Sequence, residues 1–237
     1  GTLEVGNNNA STTYSGSMSG SGVFRKIGTG TLTLSGVSTN TGTMEISAGT
    51  VTLSGGSNRL STTADLYMNG GVLNLNSQDQ IVGTLSGSSN ITLGSGYLNT
   101  RVSGTSTYSG IISGNGGFEK TGDGVLILSN AQTYTGSTGV IHGTLIVQAS
   151  LAGDVGVFGT LINNGLIHGD VYGSGLVKGT GHFGSLVLLN FDGTLAPGNS
   201  VGLMTGTDVN LGEGARFEFE IASADGVMGT DWDGLQL

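Results

Sequence analysis

The chain has 237 residues, of which 47 are glycine and one is proline, with no cysteine and a formal net charge of -9 at pH 7. The absence of cysteine removes disulfides, thiolate metal sites and thiol nucleophiles together, and the acidic balance disfavours nucleic acid and anionic membrane as partners. Glycine without a three-residue period or abundant proline excludes collagen, and aliphatics recurring two apart, as in Leu32 and Leu34 or Leu126 and Leu128, exclude a disordered linker.

The chain opens on Gly1-Thr2-Leu3-Glu4-Val5, the middle of a pattern rather than a signal peptide, so it is expected to be a fragment of a longer protein. No 18-residue apolar run occurs, so no membrane insertion of this segment is expected. Thr13-Tyr14-Ser15-Gly16 returns as Thr107-Tyr108-Ser109-Gly110, an offset of 94 residues that then persists. Lys26 matches Lys120, Gly28 and Gly30 match Gly122 and Gly124, Leu32 and Leu34 match Leu126 and Leu128, and Gly49-Thr50 matches Gly143-Thr144. The residues that define the repeat are Tyr14, Gly16, Lys26, Gly28 and Gly30, then Tyr108, Gly110, Lys120, Gly122, Gly124 and Tyr134. The first copy has Asn40 where the second has Tyr134, and a looser turn is expected there.

Inside each copy the local grammar is Gly-Thr-Leu-x-Leu, as in Gly30-Thr31-Leu32-Thr33-Leu34 and Gly143-Thr144-Leu145-Ile146-Val147. Apolar residues at i and i+2 face one side of a strand, and Gly and Asn between the strands supply tight corners. Such short strands bury little in one sheet, but coiling stacks Leu on Leu along an interior column. With roughly 20–29 residues per coil, the 94-residue unit would take about four coils, and the chain about ten coils over roughly 50 Å. A sandwich would favour hairpins at shorter spacing, and a propeller would need its own blade period.

Past residue 191 the chain changes. Eight acids (Asp192, Asp208, Glu213, Glu218, Glu220, Asp225, Asp231, Asp233) stand against one base, Arg216. Gly193-Thr194-Leu195-Ala196-Pro197-Gly198-Asn199-Ser200-Val201-Gly202 precedes the alternating Phe217-Glu218-Phe219-Glu220-Ile221. A twisted hairpin around 217–221, with Glu218 and Glu220 facing out, is the expected end cap.

The stretches 14–55 and 108–147 resemble the passenger-associated transport repeat of bacterial autotransporters: Gly-Ser-Gly, a lysine, Gly-x-Gly-x-Leu-x-Leu, then Tyr-x-Gly and Gly-Thr-Leu. The second copy is the closer match, running Ser113-Gly114-Asn115-Gly116 through Lys120 to Leu128, then Thr133-Tyr134-Thr135-Gly136. The tail resembles the autochaperone end of such passengers, in which Pro197, Gly198, Asn199, Ser200 and Gly202 form the turn and Phe217, Phe219 and Ile221 the following strand. The resemblance implies an all-β, right-handed, single-stranded parallel β-helix with a hairpin-like C-terminal cap. It divides the chain into a stalk over 1–149 and final coils with an autochaperone-like cap over 150–237. It further implies a passenger that crosses the outer membrane unfolded through its own β-barrel, folds outside and remains on the cell surface. The barrel is the implied partner. Host glycan or protein, or self-association through the β-helix face, belongs to the alternative of an adhesin module.

No enzyme, cofactor or metal site is expected. Gly198-Asn199-Ser200-Val201-Gly202 fits G-x-S-x-G, but His142, His168 and His182 all precede it, against the order that the nucleophile elbow needs. Gly179-Thr180-Gly181-His182-Phe183-Gly184 fits a dinucleotide fingerprint, but the apolar run Ser185-Leu186-Val187-Leu188-Leu189 follows instead of a helix. The three histidines are 26 and 14 residues apart and read as exposed turn residues. A lone Asp123 between glycines reads as a type I′ or related turn rather than a calcium loop. Lys26 and Lys120 read as structural, discouraging strand pairing at a coil edge, with a ligand stripe as the alternative. Tyr14, Tyr108 and Tyr134 read as packed corners, with glycan or protein stacking, shared by Trp232, as the alternative. A polysaccharide lyase or glycosidase would need paired carboxylates in a cleft, and the acids before residue 190 are scattered.

Overall fold

The computed structural model describes residues 1–188 and 193–237, so Leu189 and Asp192, named above, lie outside the described residues. All the regular elements among the described residues are β-strands. They pair in parallel, and antiparallel pairing is confined to isolated bridges and the hydrogen bonds around them. Exposure along Val23–Lys26 and Thr31–Leu34 alternates between half-buried and buried, the two-residue period of a strand with one face on a core.

Among the described residues the chain winds over three faces: a twelve-stranded first sheet, a six-stranded second and an eleven-stranded third. One coil shows the order, with Thr105–Tyr108 on the first face, Ile112–Ser113 on the second, Phe118–Thr121 on the third, and Val125–Leu128 back on the first. The register sets the coil length. Thr2 lies opposite Val23 and Val125 opposite Thr144, whereas Thr144 lies opposite Thr160 and Thr160 opposite Leu176, so coils shorten to 16 residues. These coils are tighter than the range expected from comparable repeats. They shorten past Ile112–Ser113, the last strand of the second sheet; the two-residue strands Ser150–Leu151 and Leu166–Ile167 beyond it belong to the third sheet, which they join through His182–Leu188. His182–Leu188 then spans two faces, pairing first with Leu166–Ile167 and then with Val171 and Tyr172.

The interior is built of columns. Leu126, Leu145, Leu161, Val177 and Leu195 stack by register through five successive coils, all buried. Burying such a side chain contributes about 1.5–3 kcal/mol, and each column ties a coil only to its neighbours, the arrangement of a solenoid. Interior polar groups satisfy the backbone. Gln132 accepts from the Ile112 amide (2.7 Å) and donates to the Gly110 carbonyl (3.1 Å) one coil away. Gln80 clamps both backbone groups of Leu60 in the same way.

The 94-residue repeat is not a whole number of coils. Val23–Lys26 is on the first face but its equivalent Phe118–Thr121 is on the third, and Thr31–Leu34 on the second corresponds to Val125–Leu128 on the first. The offset therefore spans four coils and two further faces, which corrects the expectation of about four coils. What repeats is a corner with its flanking strands, independent of the face that carries it.

Candidate functional site

The two repeat lysines make that corner. Lys26 and Lys120 are buried, at 1% and 0% exposure, rather than standing at a coil edge. The Lys120 ammonium donates to the carbonyls of Thr121 (3.2 Å), Gly122 (2.6 Å) and, one coil on, His142 (3.0 Å). Lys26 donates to Ile27 (2.7 Å), Gly28 (2.8 Å) and Ala48 (3.3 Å), the same positions 94 residues earlier. Three N–H donors meet three carbonyls in each corner, so the charge is solvated by backbone dipoles. Burial lowers both lysine pKa values, Lys120 to about 8, with exposed Asp123 pulling its value the other way. The glycines make room. Gly28 and Gly122 adopt φ of +67° and +76°, and a Cβ on Gly122 would sit 2.5 Å from the Val102 carbonyl of the previous coil. Lys26 and Lys120 lie on different faces, so they form no stripe.

The repeat tyrosines divide by position. Tyr108 and Tyr134 are buried, and burial raises both phenol pKa values. Tyr108 donates to the Ser89 carbonyl at 2.7 Å, and Tyr134 shares a hydrogen bond with Thr138 and tilts against Phe118. Tyr14 is exposed on the first turn of the fold, its hydroxyl bonded to the Ser17 carbonyl. In Tyr-Ser-Gly the glycine is required because the phenol folds back over it: a Cβ on Gly110 or Gly16 would run into the tyrosine two residues earlier. Asn40, which replaces Tyr134 in the first copy, is also buried and bonds the Gly42 carbonyl at 3.3 Å.

The end cap centres on Asp233, which is 1% exposed. Its carboxylate accepts the amides of Gly202 (2.8 Å) and Glu220 (2.7 Å), fastening the Pro197–Gly202 turn to the segment after Phe217. Pro197, Gly198 and Gly202 are buried, whereas Asn199 and Ser200 are exposed. The antiparallel bridge Ile221↔Trp232, flanked by the bonds Ala222 N to Asp231 O and Asp233 N to Glu220 O, makes the cap hairpin-like. The expected inward face of 217–221 is not formed. Arg216–Phe217 pairs in parallel with Thr194 and Leu195, and Phe217, Phe219 and Ile221 are all exposed, as are Glu218 and Glu220. The 203–211 strand pairs with His182–Leu188, and Gly234–Gln236 closes the edge against Leu203 to Thr205.

The remaining candidates stay apart. His142 and His168 are exposed outside strands, whereas His182 is half-buried within a strand and faces Thr205 Oγ1 at 2.9 Å, correcting its placement in a turn. Among the described residues no three His, Asp or Glu side chains are grouped to hold a metal ion, and no hydrogen bond joins Ser200 to a histidine. Gly122 has positive φ and Asp123 does not, so the turn there is not type I′. Asp233 escaped sequence reading because it lies among other tail acids with no motif around it. Its only signal was an aspartate before glycine at the edge of a strand.

The passenger-associated-transport-repeat family model matches residues 24–53 and 118–147, the two lysine corners with their flanking strands. The chain is 32% identical over 190 residues to the "Adhesin BmaC autotransporter" of Brucella suis biovar 1 (strain 1330), covering 72% of this chain and 5% of the relative. It is 34% identical over 117 residues to an "Extracellular serine protease" of Serratia marcescens, covering 49% of this chain and 10% of that protein. The chain thus spans a tenth or less of the length of these curated relatives. No solved structure matches it.

Proposed function

Because the chain carries two passenger-associated transport repeats and is related to an autotransporter, we propose that it is the stalk and folding-nucleus part of a bacterial autotransporter passenger. In this reading it is displayed on the cell surface through an outer-membrane β-barrel, residues 1–149 form the stalk, and residues 150–237 carry the final coils and the autochaperone cap. The observation that carries it is the Asp233 clamp, which joins the two tail segments into one closed unit at the C-terminal edge. A parallel solenoid grows coil by coil on a finished edge. A cap that forms first therefore gives a chain emerging C-terminus first a template, and burial alone drives the rest. No chemistry is assigned to the segment: it is read as a non-enzymatic part, whatever activity the rest of a passenger holds. The test is deletion of 195–221 in the natural passenger with its translocator. Loss of folded, protease-resistant passenger at the surface is expected, and normal display would refute the role.

A second reading, an adhesin module, draws on the relative named an adhesin and on exposed aromatic residues along the third face. Binding of the isolated chain to host glycan or matrix protein tests it.

A further inference from the structure

We infer that the third face carries a binding trough for a neutral oligosaccharide, floored by glycine and flanked by two tyrosines that lie along the sheet. The inference gives a site and a ligand class to the adhesin reading, on which it rests. It begins with glycines that the backbone does not explain. Glycine inside a strand is destabilising and often marks a bulge, a bend or the close approach of a ligand or another backbone. Gly139 sits in the middle of Thr138–Val140 without positive φ, and a Cβ there would meet only the Glu119 and Ile141 side chains, at 3.3 Å. At most other glycines a Cβ would strike the backbone of the preceding coil. Gly156 lies directly opposite Gly139 on the next strand but is buried, so half-buried Gly139 is the open part of the floor.

Aromatic rings lean over this floor from both ends. The Tyr97 ring crosses Gly117, which has no room for a Cβ beneath it, and its hydroxyl meets Ser137 Oγ at 2.9 Å, two strands further on. Tyr172, opposite Gly156, leans back over it, and its ring would lie 3.2 Å from a Cβ there. Both keep an open side, at 40% and 38% exposure, and Phe158, two residues after Gly156, is exposed as well. The tips are offset by one strand spacing of about 4.8 Å and two residues of about 6.6 Å, the scale of neighbouring sugar rings. Rings packed on one side and open on the other suit the C–H faces of pyranoses, which stack by dispersion and apolar contact. The rim carries acceptors: Glu119, which accepts from Asn99 at 2.8 Å, and exposed Asp154 and Asp170. These carboxylates, with the net charge of -9, repel sulfated or sialylated glycans.

The test uses the 237-residue chain on an array of immobilised neutral oligosaccharides, with sulfated oligosaccharides and polylysine as competing surfaces. Gly139→Leu fills the floor and Tyr172→Ala removes an exposed platform. Circular dichroism and melting of each variant report folding. The expected result is retention on neutral oligosaccharides, weakened about tenfold in Tyr172→Ala and lost in Gly139→Leu, with both variants folded. A parent that binds no neutral oligosaccharide, or prefers polylysine or sulfated spots, overturns the proposal. Binding unchanged in both variants also overturns it, yet leaves an adhesin that works through another surface.

Discussion

Replacing Lys120 with methionine tests whether the buried ammonium holds the corner together or is merely tolerated. The side chain keeps its length and apolar stem, so the change removes three charge-assisted hydrogen bonds and one charge. Hydrogen bonds to charged groups contribute about 1.5–3 kcal/mol each, and a buried acceptor left without a donor loses about 1–3 kcal/mol. Against this, removing an ammonium from the interior relieves its desolvation, the effect that lowers its pKa to about 8. The Gly122 and His142 carbonyls belong to successive coils, so both edges of the corner lose a partner at once. The net expectation is a loss of about 2–4 kcal/mol, read as a lower urea midpoint at unchanged slope. Lys26→Met should behave alike. A Lys120→Met chain at least as stable as the parent would refute the reasoning, because dehydrating the charge would then outweigh its three bonds.

The same lysine gives a pH dependence. A free lysine titrates near 10.4, so between about pH 8 and about 10 the unfolded chain binds more protons than the folded one, and stability should rise with pH in that window. Above about pH 10 the sign reverses, because Tyr108 and Tyr134, held protonated by burial, ionise only on unfolding. Urea midpoints from pH 7 to 11 should peak near pH 10, and Lys120→Met should flatten the rising limb. Asp233→Ala should leave the Gly202 and Glu220 amides without their acceptor and loosen the cap by about 2–4 kcal/mol; hydrogen exchange should quicken from 203 to 236 and stay unchanged before residue 150. Gly143→Val should destabilise by about 2–4 kcal/mol, since φ there is +62° and a Cβ would press on the Gly122 carbonyl at 2.6 Å; a thermal midpoint within a degree of the parent would contradict that.

The strands and their inward faces were legible because alternation in stretches such as Thr31 to Leu34 depends only on the two-residue geometry of a strand. Corners were legible as glycine positions. The number of residues per coil was not, since it depends on how wide each face is, and the second sheet ends at Ile112–Ser113 without a change in local pattern. The lysines misled for a physical reason: charge predicts exposure unless three carbonyls converge on it, and that convergence joins residues 22 apart in the chain. Phe217, Phe219 and Ile221 alternate like a half-buried strand, but strand pairing of this segment stops at Arg216–Phe217 against Thr194 and Leu195, and all three side chains are left exposed. Tyr97 and Tyr172 carried no motif and became visible only when the register set glycines beside them.

That the repeat advances by four coils and two faces has a geometric consequence for growth by duplication. Inserting another 94-residue copy would lengthen the rod and also index everything beyond it by a third of a revolution. A patch on one flank would be re-aimed to the next flank without any change in its own residues. Copy number then sets azimuth as well as reach, and two chains differing by three such copies would present the same surfaces in the same direction at different heights.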